Sequence, residues 1–530
     1  MATELVLSSS EIRGLCQRYL HQDVRSLDTG FDIISYQLKP TSDAPAGYLG
    51  SHFFLHVTVQ LHDPEERKNL TFFSKAAPEG NGPRMEYLED FGVFQKEISV
   101  YRDVLPELQE ACAPVAPKCY YADKNLLVFE NLADQGYRMG TGRDGLFNYR
   151  QLQCCLKTLA AMHAGSIIQE QRTGKKLPES HPKAVVENAY PSGVKPNHVR
   201  MVNFINACNV LKEFIKQIPK YESKLDYILD NFTQKMSFIF EAVKTSNVYQ
   251  NTLIHGDLWA NNIMFQYGKY GDTPFQCRIV DFQLARYAPP ALDVLTVLTI
   301  PTSKQFRDQH LNELLAQYYS FMSEFLKRAD LDIARFIPEK SFYESVEEFR
   351  SIGLIESCLF CHLVILPPSF TQKLTSSADG FSDFFSNRRI EICLEAFNSD
   401  ELYRNRLVDM IQDFVDNFVL KEVQCHLTGR LIWSSLFVAV MAISTLIEAR
   451  PQRNLQHIAV VENAAWEQTL PQQFQNPFYK TPRVRDALAR SSWFGPGEEV
   501  VYDRQAEKIP RMEIYNVLSH AGLIPRRRFL

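Results

Sequence analysis

The chain has 530 residues, enough for two or three domains and a large core. Its formal net charge of -5 gives no sign of nucleic-acid binding. The 11 cysteines are odd in number and irregularly spaced, which points to free thiols in a reducing compartment. The N-terminus, MATELVLSSSEIRGLCQRYL, has no basic start and no long apolar run. It therefore does not read as a signal peptide, and a cytoplasmic protein is expected.

In chain order, the N-terminal segment predicts a helix with Ser9 or Ser10 as N-cap, Glu11 in its first turn, and Ile12, Leu15 and Leu20 on one face. Strands follow at 31–36, 53–60 and 70–75, with a turn at His62-Asp63-Pro64 between the last two. Between the first two strands lies a small-residue loop with Gly47, Gly50 and Ser51. It is placed either to cover a nucleotide or to make an ordinary hairpin turn. The third strand ends in Lys75, and the next helix, FGVFQKEISVYRDVLPEL, carries Phe94, Ile98, Tyr101 and Leu105 on its apolar face. Glu97 sits inside that pattern, and a Lys75–Glu97 ion pair is expected.

Residues 125–132 (NLLVFENL) read as a buried strand. They are either core alone or a hinge whose Glu130, Asn131 and Leu132 backbone meets an adenine edge. A helix over 149–164 turns Leu152, Leu156, Leu159 and Met162 inward, with His163 as a core histidine. A polar, partly helical insertion is expected over 165–250, and helices over 305–328, 341–366 and 399–423. Cys358-Leu-Phe-Cys361-His362 matches a haem-attachment spacing, but it lies in an apolar helical run and reads as two core cysteines.

The run HGDLWANNIMF at 255–265 carries the chemistry. Asp257 and Asn262 lie five residues apart, and CRIVDFQLAR at 277–286 sets Asp281 at the end of a short apolar strand. That order and spacing fit phosphoryl transfer. One aspartate takes the acceptor proton, while an amide and a second carboxylate hold Mg²⁺ against the phosphates of ATP. Lys75, held by Glu97, would reach the α- and β-phosphates. Asp293, after Pro289-Pro290, could anchor the catalytic loop by hydrogen bonds.

Together HGDLWANNIMF, IVDFQLAR, FQKEISVYRDVLP, LVFENL and LKTLAAMHA resemble the insect ecdysteroid-kinase-like family, also called choline-kinase-like and related to aminoglycoside phosphotransferases and choline kinases. The resemblance covers about residues 1–425. It implies an α+β, two-lobed protein-kinase-like fold: an N-terminal antiparallel sheet plus helix, and a larger helical C-terminal lobe. It also implies ATP- and Mg²⁺-dependent phosphorylation of a small-molecule hydroxyl, with ecdysteroids as the founding substrates. Carried over by position, Asp257 is the base and Asn262 and Asp281 the metal ligands. Lys75 and Glu97 anchor the phosphates, and Gly47, Gly50, Ser51, Glu130 and Leu132 line the nucleotide. The loop AGYLGS lacks the acidic-Asn-Tyr run usual in the family, and Phe-Glu-Asn replaces the commoner Leu-Glu-Asp at the hinge. The rival reading is a pseudokinase-like module that sequesters a small hydrophobic ligand.

The expected organisation is a nucleotide-binding lobe at 1–132, a helical catalytic lobe at 133–425, and an appended tail at 426–530 that is partly disordered. Residues 431–447 (LIWSSLFVAVMAISTLI) carry no charge. They read as a membrane anchor, a buried helix or a signal-like segment of a fused unit.

Overall fold

The computed structural model describes residues 7–421 apart from 24–29, 42–50, 63–64, 78–91, 124, 141, 196–197, 269–270, 272 and 376–387. The chain divides into two units, Met1–Gly429 and Arg430–Leu530. The apolar segment 431–447 lies outside the described residues, as does the rest of the tail. Among the described residues no helix is long and apolar enough to cross a membrane.

The first lobe follows from strand alternation. Strands β1 (Phe31–Pro40), β2 (Ser51–His62), β3 (Glu65–Ala76), β4 (Cys119–Asp123) and β5 (Leu126–Glu130) form one antiparallel sheet in the order β1-β2-β3-β5-β4. Successive side chains point to opposite faces. Leu55, Val57, Val59, Leu70 and Phe72 therefore fall on one face, where Ile12, Leu15 and Cys16 of the Ser9–Asp23 helix cover them. That helix is capped by Ser8, one residue before the expected cap. Ser8 Oγ accepts from the Glu11 N–H at 3.2 Å and Glu11 Oε2 accepts from the Ser8 N–H at 2.8 Å. The reciprocal pair needs serine three residues ahead of glutamate, which only Ser8 satisfies.

The other face of the sheet carries Phe73 and Lys75 of β3, paired in register with Phe129 and Leu127 of β5. It packs on the Val93–Ser99 helix and its continuation, where Phe94, Ile98 and Tyr101 are buried as expected. That helix widens through a π-helical turn at Val100–Val104 and continues at Leu105–Ala111. Pro106 explains the widening: without an N–H it cannot bond the carbonyl of residue 102, and the Leu105 N–H reaches back to Val100 O instead.

The second lobe is built around the Tyr149–Thr173 helix. Asn148 and Gln151 cap it reciprocally, and Leu152, Leu156, Leu159 and Met162 are fully buried. It continues past Ala164, into the stretch read as an insertion. The rest of that stretch forms helices at Leu177–Ser180, Val199–Lys216, Leu225–Met236 and Ile239–Ala242. Helices Lys304–Arg328, Glu339–Glu348, Arg350–Val364, Arg389–Ser399 and Glu401–Phe414 complete the lobe. Every described cysteine is a free thiol, and Cys358 and Cys361 are core residues.

Two short ribbons position the site. Strand β7 (Thr252–Ile254) pairs with β10 (Arg286–Ala288), and β8 (Ile263–Tyr267) sits between β6 (Tyr137–Met139) and β9 (Pro274–Ile279). The chain runs from β7 through the loop 255–262 into β8, then returns along β9 to Asp281 and pairs back onto β7.

Candidate active site

The β8–β9 register brings the two halves of the motif together. Ile263 lies opposite Ile279, and the Val280 N–H donates to Asn262 O at 2.9 Å, so Asn262 and Asp281 leave neighbouring strand ends. Within the loop, Asn262 Nδ2 donates to Asp257 O at 2.8 Å and to Asp257 Oδ2 at 3.0 Å. Both amide protons are thus used on Asp257, and the amide oxygen remains as a hard donor. Asp257 is only 8% exposed. Burial, and then the Asp281 carboxylate, push its pKa up to about 8 against the pull of Asn262.

Asp281 holds a left-handed backbone, φ 69°, which aspartate tolerates better than most residues. Its Oδ1 accepts from Lys75 Nζ at 2.8 Å, and the same ammonium donates to Glu97 Oε2 at 2.7 Å. The expected Lys75–Glu97 pair is therefore present, with Asp281 as a third member. Burial opposes the Lys75 charge, but Asp281 and Glu97 outweigh it and hold the pKa above its ordinary value. Burial, helped by Asp281, pushes Glu97 up, while Lys75 draws it down. The Lys75 direction follows from one ammonium facing two carboxylates, and the Glu97 direction from burial. The trio carries excess negative charge, which a divalent cation at Asp281 would offset.

The loop bearing Asp257 is tied down from the helical lobe. Asp293 Oδ2 accepts from the His255 N–H at 2.7 Å and Oδ1 from the Gly256 N–H at 3.0 Å. His163 Nε2 lies 3.3 Å from Asp293 Oδ2, and its Nδ1 lies 2.7 Å from Tyr318 Oη. His163 is a satisfied core histidine, as expected, and it also holds the anchor. Burial opposes the Asp293 charge, yet the His163 hydrogen bond and the loop N–H groups keep its pKa below the usual value. His255 Nδ1 accepts from the Asp257 N–H at 3.2 Å, and its Nε2 donates to Val280 O at 3.0 Å. That pattern is a neutral imidazole, and burial lowers its pKa accordingly. Gly256 has φ +75°, and a Cβ there would meet Leu284 O and Arg286 Nη2 at 2.7 Å. Only glycine fits this turn.

Of the residues expected at the nucleotide, Gly47 and Gly50 lie outside the described residues. Ser51 begins β2 opposite Ala76, beside the His52–Lys75 pair. The Glu130 side chain is committed elsewhere: Oε1 accepts from the Lys118 N–H at 2.8 Å and Oε2 from Gln135 Nε2 at 2.7 Å. Leu132 starts a short 3₁₀ turn, Leu132–Gln135, that Asn131 caps. Among the described residues, no group of three His, Cys, Asp or Glu side chains could hold a metal alone.

Sequence reasoning missed two charged groups beside Asp257. Arg286, 2% exposed, donates to Leu284 O at 3.3 Å and to Gly256 O at 3.5 Å. It lay in plain view inside IVDFQLAR. Glu356, the lone acid of the run IGLIESCLFCHLVIL, is 3% exposed and hydrogen-bonded to Thr296 Oγ1. Thr296 Oγ1 also bonds Leu292 O at 2.8 Å. A hydroxyl has one proton, so Thr296 shares it between Leu292 O and Glu356 Oε2. Burial pushes the Glu356 pKa up to about 7 from 4.5, against Arg286 and Thr296.

The folded state thus binds the Glu356 proton more tightly than the unfolded chain. The resulting stability is complete below about pH 4.5 and is lost as pH rises through about 7. Glu356→Gln, neutral throughout, should gain on the wild type by about 2 kcal/mol between pH 5 and pH 8. Urea unfolding at both pH values measures it; a gap that does not change with pH would show that Glu356 ionises normally.

A five-stranded antiparallel lobe, a larger helical lobe and this set of acids, amide and lysine define a kinase-like phosphotransferase. The chain belongs to the ecdysteroid kinase-like family, whose model matches residues 46–331, more than half of its length. Membership makes it a phosphotransferase acting on small-molecule hydroxyl groups. No curated protein matches it. Among solved structures, the GDP complex of wild-type aminoglycoside 2'-phosphotransferase-IIIa is 13% identical, covering 72% of this chain and 97% of that one with a TM-score of 0.32. A microcompartment-associated aminopropanol kinase is 14% identical, covering 72% and 98% with a TM-score of 0.27. At these scores the fold rests on the chain's own strand order and helices.

Proposed function

We propose that this protein transfers the γ-phosphoryl group of ATP to a hydroxyl of a hydrophobic small molecule, an ecdysteroid or similar alcohol, with Mg²⁺. The observation that carries the reading is the meeting of Asp257, Asn262, Asp281 and the Lys75–Glu97 pair, which come from separate parts of the chain. The steroid preference is supported by the family's name.

The donor set fits Mg²⁺. The amide oxygen of Asn262 and the carboxylate of Asp281 are hard ligands, and the ion takes the rest of its shell from phosphates and water. When bound it neutralises phosphate charge. The remaining work belongs to the side chains. Asp257 accepts the acceptor hydroxyl's proton on the oxygen that Asn262 leaves free, and Asn262 keeps that carboxylate oriented. Lys75, held by Glu97, meets the phosphate oxygens. Gly47, Gly50 and Ser51 cover them, and the backbone at Glu130 and Leu132 faces the adenine edge.

ATP with Mg²⁺ should raise the unfolding temperature by several degrees. Steroid or phenolic alcohols should then elicit ADP release. Stabilisation by ATP with no ADP release from any acceptor would favour the sequestering module instead.

A further inference from the structure

Lys96, next to Glu97 on the same helix, is 4% exposed and plays no part in the proposed transfer. Its Nζ donates to Val186 O at 2.7 Å and to Asn188 Oδ1 at 3.0 Å. Between those two partners stands Glu187. Its Oε1 accepts from the N–H groups of Ala189 at 2.6 Å and Tyr190 at 2.7 Å, which fixes the carboxylate within its own turn. Its Oε2 lies 3.0 Å from Arg286 Nε. The Nε proton is directed at Leu284 O, so Oε2 takes no aligned hydrogen bond and the contact is one of charge. Arg286 in turn donates to the carbonyl of Gly256, the residue before Asp257, and lies 5.7 Å from the centre of the Tyr190 ring. Three consecutive residues, 186–188, therefore clip the helix that carries Glu97 to the loop that carries Asp257.

We propose that Glu187, with Lys96 and Arg286, forms a positioning unit that assembles the Lys75–Glu97 pair and Asp257 together. The proposal rests on the phosphotransfer reading of the site. The physical reason is the buried guanidinium. Without the Glu187 carboxylate, Arg286 keeps no acid within 4 Å among the described residues, and its other charged neighbours include Glu356 and Asp293. A buried cation that loses its partner moves or draws in another, and Gly256 is bonded to it. Lys96 carries the same disturbance to the Glu97 helix through the shared loop. A glutamine at Glu187 keeps the shape and the oxygen that accepts from Ala189 and Tyr190, and puts a neutral NH2 in place of the charged oxygen beside Arg286.

The test uses the full chain with Glu187→Gln, Lys96→Met, Lys96→Arg and the double variant E187Q/K96M. Two readouts are taken: kcat and KM for an accepted alcohol, and amide hydrogen exchange. E187Q should lower kcat roughly tenfold or more with acceptor KM little changed. Exchange should speed up over both 93–99 and 255–262. K96R should retain activity because it keeps two donors at the loop, K96M should not, and the double variant should be no worse than the poorer single one. The proposal is overturned if E187Q speeds exchange only near residues 181–190 and leaves kcat unchanged; Glu187 would then merely hold its own loop. If the wild type releases no ADP with any acceptor, the phosphotransfer reading fails by itself. Exchange at 93–99 and 255–262 still decides whether the two segments are coupled.

Discussion

Asp257→Asn is expected to lower kcat by about 10²- to 10⁴-fold, the range for loss of a positioned general base. MgATP affinity should be largely unchanged, because the proposed mechanism gives Asp257 the acceptor proton and assigns the phosphates to Lys75 and Asp281. Asparagine retains the shape and an acceptor oxygen for Asn262 Nδ2, so the loop geometry is preserved. Steady-state kinetics on an accepted alcohol, with MgATP binding by calorimetry, separate the two effects. A variant with wild-type kcat would remove Asp257 from the mechanism and leave positioning alone to drive transfer.

The second large effect falls on stability. Asp293→Ala strips the acceptor from two buried N–H groups, those of His255 and Gly256, and from His163. Breaking a buried, hydrogen-bonded pair of this kind costs about 3–5 kcal/mol. The 255–262 loop should exchange its amides faster, and kcat should fall with it because Asp257 is no longer held. Chemical denaturation and exchange on the same samples read both. A loss under about 1 kcal/mol, within the scatter of surface substitutions, would mean that His255 and Arg286 suffice to hold the loop.

These two residues differ in how legible they were. Asp257 stands in a run whose spacing to Asn262 is local, so one loop delivers both groups. Asp293 was readable as a loop anchor by its place after Pro289-Pro290, but its partnership with His163 was not. His163 sits 130 positions earlier, on a helix whose apolar stripe accounts for it fully. Glu130 was readable only as a backbone position at the end of a buried strand, and the use of its carboxylate on the Lys118 N–H and Gln135 had no local signal.

What the sequence by itself determined is local. Alternation along β3 puts Lys75 on the face opposite Leu70 and Phe72. The apolar stripe carries Glu97 into the interior, and the five-residue spacing sets Asn262 against Asp257. Backbone sterics and side-chain periodicity fix these within one element, so they can be read without knowing what packs where. Only the tertiary structure decided the contacts that close the site. Lys75 meets Asp281 across 206 positions, Glu187 reaches Arg286 from a loop of no marked pattern, and burial raises the Glu356 pKa against the pull of Arg286 and Thr296. Such contacts depend on how two ribbons and a bundle of helices meet in space, and a buried charge takes its meaning from the neighbours that packing brings to it.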